Sequence, residues 1–76
     1  MSTIAAEWAE FAAAVEPTKP TETELRHLRG AFYAGAFAME ALQRAITNQN
    51  LSERAVAWRL RALQEELVNF SRHGYV

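Results

Sequence analysis

Large apolar residues recur along the chain at helical intervals. Ile4, Trp8, Phe11 and Val15 follow steps of four, three and four, which stacks them on one side of a short helix over about 3–15, opened by Ser2 or Thr3. Pro17 and Pro20 lack amide donors and bias their predecessors away from the α region, so residues 16–20 form a stiff elbow. Thr21 and Glu24 are spaced as a capping box and open a second helix over about 22–47. On it Leu25, Leu28, Phe32, Gly35, Met39, Leu42 and Ile46 repeat in alternating steps of three and four, the seam of a helical bundle. Gly35 costs about 1 kcal/mol against alanine in mid-helix, so its place on this seam predicts the close approach of another backbone or a bulky side chain.

Ala31, Ala34, Ala38, Ala41 and Ala45 run along a neighbouring face, and between Ala31 and Leu42 only Glu40 is charged. A helix this apolar is expected to be surrounded by other helices. Thr47 to Asn50 are turn formers, after which Ser52 caps a third helix over about 53–73, with Leu51 and Val56 as its hydrophobic staple. Val56, Leu60, Leu63, Leu67 and Phe70 form its apolar stripe, and Gly74 with Tyr75 is suited to a Schellman ending. The short connection implies an antiparallel pairing of helices 2 and 3. The expected fold is therefore all-α: an antiparallel helical hairpin plus a short N-terminal helix, a three-helix unit in a single domain over 1–76.

Composition sharpens this picture. With 50% hydrophobic residues and a net charge of -1, the chain is too apolar and too weakly charged for a disordered tail. At 76 residues, without cysteine, it has neither the size nor the disulfides to be stabilised easily alone, and homo-oligomerisation is the expected remedy. No apolar run approaches the roughly 20 residues that span a bilayer, and the start carries an acid where a secretory signal is basic, so no membrane partner and a cytosolic location are expected.

Catalytic chemistry finds little support. Glu24-Leu25-Arg26-His27 contains half of a di-iron carboxylate motif, but in the expected hairpin Glu65 and Glu66 fall roughly nine residues, or about 13 Å, from where they are needed. The chain has no aspartate to complete a triad or a zinc site built on His27 and His73, and no glycine-rich phosphate loop. No enzyme activity, catalytic residue, metal or cofactor is expected. Two clusters do suggest binding. Arg54, Trp58 and Arg61 share one face of helix 3, and Arg26, Arg29 and Tyr33 share one face of helix 2. Guanidinium groups hold phosphate and an aromatic ring stacks a base. Equally, Trp58 is suited to packing on helix 1 or on a second subunit while Arg61 pairs with Glu65, and the helix 2 cluster is suited to the rim of an oligomer face. Glutamates interleave with the arginines, which disfavours duplex nucleic acid.

The run Arg29-Gly30-Ala31-Phe32-Tyr33-Ala34-Gly35-Ala36, the earlier Trp8 and Phe11, and the later Gln64-Glu65-Glu66-Leu67-Val68-Asn69-Phe70 resemble small all-helical accessory proteins of tailed phages and prophages. The resemblance spans most of the chain. It implies phage origin and the cytoplasm of an infected bacterial host, and by analogy a counter-defence role. Two functions follow as expectations: an oligomer that sequesters a small nucleotide-like anionic signal, or a helical module that binds and inhibits a host or phage protein without a small ligand.

Overall fold

A computed structural model describes residues 2–72, all of whose regular structure is helical. Three α-helices succeed one another: α1 over Ile4–Val15, α2 over Glu22–Thr47 and α3 over Glu53–Arg72, with a 3-10 turn at Glu16–Thr18. The bounds follow the sequence signals closely because the signals are local. Thr3 Oγ1 accepts from the Ala6 amide at 3.0 Å and caps α1. At the head of α2 the Thr21 amide donates to Glu24 Oε1 at 3.0 Å and the Glu24 amide donates to Thr21 Oγ1 at 3.1 Å, a complete capping box. Ser52 Oγ accepts from the Ala55 amide at 3.2 Å at the head of α3, where Leu51 and Val56 are both half-buried. The predicted Schellman ending at Gly74 and Tyr75, and His73, lie outside the described residues.

The elbow is built differently from the expectation. Glu16, before Pro17, stays right-handed helical at φ -53° and ψ -40°, because Pro17 falls in the first turn of the 3-10 segment, where a missing amide costs no hydrogen bond. The chain reverses instead at Lys19, which takes the left-handed conformation at φ 53° and ψ 57° while its amide donates to the Glu16 carbonyl at 2.8 Å. Thr18 Oγ1 closes the turn by donating to the Val15 carbonyl at 2.6 Å. Asn50 is the other non-glycine residue at positive φ, 54°, in the connection before α3, where a short amide side chain tolerates that region.

The chain divides into two compact units, residues 1–39 and 40–76. In the first, α1 lies on the opening half of α2 through an aromatic cluster: the Trp8, Phe11 and Phe32 ring centroids are 5.6 to 5.7 Å from one another. Each such pair contributes about 0.5 to 1.5 kcal/mol beyond its area burial. In the second, Ile46 is 7% exposed and is the one buried hydrophobic side chain among the described residues. Val56, Leu60 and Leu63 are half-buried, whereas Leu67 and Phe70 are exposed.

Two contacts expected of α2 are not supplied by its own chain among the described residues. The alanine face, Ala31, Ala34, Ala38, Ala41 and Ala45, is exposed throughout, so α2 is not enclosed on all sides. Gly35 is exposed too, and a Cβ placed there meets nothing within 4 Å. Seam spacing identified an apolar face, but an apolar face does not specify a close neighbour from the same chain.

Candidate anion-binding site

The capping box starts α2 at Glu22, and the 3.6-residue repeat then places Arg26, Arg29, Gly30 and Tyr33 along one side of it. These four residues line a shallow depression of about 400 Å³. Arg29 Cζ lies 5.7 Å from the Tyr33 ring centroid, and Tyr33 in turn meets Phe32 edge-on at 6.1 Å. The Tyr33 ring thus touches the aromatic cluster through Phe32, while the Arg29 guanidinium over it makes no hydrogen bond among the described residues. Neither Arg26 nor Arg29 is ion-paired among the described residues. The opposite arrangement holds at Arg44, whose guanidinium makes a two-pronged contact with Glu40. That contact holds the Glu40 carboxyl below its usual range, first through the hydrogen bonds and then through the opposite charge, and it raises Arg44 in the same way.

A second depression, about 350 Å³, shares Arg26 and Arg29 with the first and adds Trp8, Ala12, Glu22 and Leu25. Trp8 and Glu22 were not singled out from the sequence. Trp8 was read as part of an apolar stripe, and its nearness to the arginines depends on α1 folding back at Lys19. A larger groove, about 780 Å³, shares Ala12 and Leu25 with it and is lined besides by Ala9, Ala13, Glu16, Lys19 and Pro20.

Arg54, Trp58 and Arg61 occupy one exposed face of α3, as their spacing predicts, but none of these three depressions includes them. Trp58 is 74% exposed, and Arg61 lies 3.9 Å from Glu65 in an exposed pair. Such a pair contributes little and leaves the guanidinium available. Among the described residues no three or more His, Asp or Glu side chains gather as a metal site requires, and no helix is long and apolar enough to cross a membrane. His27 is exposed, and Glu24 is engaged in the capping box. Comparison with known proteins finds no matching family model, no matching curated protein and no matching solved structure.

Proposed function

We propose that this protein is a non-enzymatic binding protein that sequesters a small nucleotide-like anion, with Arg26 and Arg29 holding phosphate and Tyr33 offering a stacking surface. The observation that carries this reading is the shared depression of Arg26, Arg29 and Tyr33, in which both guanidinium groups are free of carboxylate partners. A charge-assisted contact contributes about 1.5 to 3 kcal/mol and an aromatic stack about 1 to 3, so two arginines and one ring supply about 4 to 9 kcal/mol, a range that runs from millimolar to micromolar affinity and reaches the latter only with every contact near its maximum. The depression is open in a single chain. The proposal therefore includes a homo-oligomer, in which copies of the chain complete the pocket and cover apolar residues such as Phe37 and Leu42, and the antiparallel hairpin of α2 and α3 expected from the sequence. Arg54, Trp58 and Arg61 are the alternative anion contacts. The phage setting, the host cytoplasm and the counter-defence role rest on the sequence resemblance.

A second reading has its own support. Leu67 and Phe70 leave the last part of the α3 apolar stripe exposed, and Trp58 is exposed on a different side of the helix, so α3 offers apolar anchors of the kind that dock on another protein. Calorimetry against linear and cyclic nucleotides separates the two. Micromolar binding that is lost in Arg29→Ala supports sequestration. If no nucleotide binds tighter than millimolar while pull-downs from infected cells recover a specific protein, the interaction module replaces it.

A further inference from the structure

Arg26 and Arg29 stand between two depressions of different chemistry. On the Tyr33 side the lining offers a ring and cations. On the Trp8 side it offers apolar walls from Trp8, Ala12 and Leu25 together with one carboxylate, Glu22. That carboxylate makes no hydrogen bond or ion pair among the described residues, although two guanidinium groups line the same depression. Trp8 is held by Phe11 and Phe32, so this wall is firm.

An ionised carboxylate only accepts hydrogen bonds, and its two oxygens match two N–H donors side by side. Because Arg26 and Arg29 line both depressions, a phosphate held by them has two places for its base, on Tyr33 or along the Trp8 wall, and only the second brings the base edge to Glu22. Guanine presents such a pair in its N1–H and 2-amino groups. Hypoxanthine presents only the first, and adenine sets its amino group beside a ring acceptor that a carboxylate repels. Resting on the anion-binding reading above, we infer that Glu22 is a specificity-determining residue that favours a guanine base in the bound nucleotide. The same negative charge disfavours ligands that bring further phosphates into this depression.

The test is calorimetry of the full chain with guanosine, inosine and adenosine 5′-monophosphates, in the wild type and in Glu22→Gln and Glu22→Ala, with circular dichroism confirming unchanged helicity. The expected result is that guanosine monophosphate binds about tenfold tighter than the other two, as a paired base contact implies. Both variants should narrow that ratio to about twofold or less without weakening adenosine monophosphate. Equal affinities in the wild type, or a preference that both variants retain, overturn the role of Glu22. If Arg29→Ala still loses all three ligands in that case, the anion site itself stands. Failure of all three to bind tighter than millimolar removes both the selectivity and the site.

Discussion

The capping box at the head of α2 can be taken apart into its two halves, because only one of them titrates. Thr21→Ala removes the hydroxyl that accepts from the Glu24 amide at 3.1 Å but keeps the Thr21 backbone amide that donates to the Glu24 carboxylate at 3.0 Å. Loss of a threonine cap costs about 1 kcal/mol. Unfolding entropy of about 2.1 cal/mol/K per residue over 76 residues gives roughly 160 cal/mol/K, so the melting temperature should fall by about 6 °C. Glu24→Gln probes the other half. The Glu24 carboxyl is held below its ordinary value of 4.5 by the Thr21 amide and then by the Thr21 hydroxyl. A depressed carboxyl stabilises the fold above that ordinary value, and its contribution disappears as the pH falls through the folded value. Glu24→Gln should therefore melt below the wild type near neutral pH and approach it as the pH falls below the ordinary carboxyl value, whereas the part of the Thr21→Ala deficit that comes from the lost acceptor of the Glu24 amide should persist at both. Melting followed at 222 nm, with protein concentration fixed because association shifts the midpoint, reads all of this. A Glu24→Gln deficit that survives undiminished at pH 3, or a Thr21→Ala shift under 1 to 2 °C, would refute the assignment.

Other changes test the remaining structure. Arg29→Ala should weaken anion capture by about 10- to 150-fold in calorimetry, with helicity and particle mass unchanged, since the loss is one charge-assisted contact. Gly35→Ala meets nothing in its own chain and should raise helix stability by about 0.8 to 1 kcal/mol in thermal melts. If light scattering instead shows lost particle mass, two chains approach each other at Gly35. Ile46→Ala removes the one buried hydrophobic side chain among the described residues and should cost about 2 kcal/mol in urea titration, the lower end for such a truncation because no other hydrophobic side chain among those residues is fully buried.

Signals confined to a few residues were read well from the sequence. Thr3, Thr21 and Ser52 each satisfy an amide three residues on, so the helix starts needed no knowledge of the rest of the chain. The candidate residues Arg26, Arg29 and Tyr33 were legible for the same reason, since one helix face fixes their proximity. What was not legible depends on backbone geometry outside the helices. Lys19 adopts a left-handed conformation that lysine seldom takes, and it is the reversal there that carries Trp8 toward Arg26. The pairing of Trp8 and Phe11 with Phe32 had a signal, because all three lay on predicted apolar stripes, but stripes alone do not say which one meets which. Gly35 was less legible, because a small residue among large ones is consistent with a close neighbour from this chain, with one from another chain and with open space, and within the chain it faces open space.

Lys19 also has a practical consequence. It is the chain's single lysine, its side chain is exposed, and it borders the groove lined by Ala9, Ala12 and Ala13. Amine-directed chemistry therefore has one side-chain target per polypeptide besides the α-amine. A reporter group attached there sits at the elbow without touching any of the arginines, and its emission or acylation rate registers occupancy of that groove. A bifunctional amine reagent, with the α-amine blocked, can join polypeptides only through one Lys19 and another. The spacer length at which joining begins then measures a single intermolecular distance, turning an accident of composition into a ruler for the assembled state.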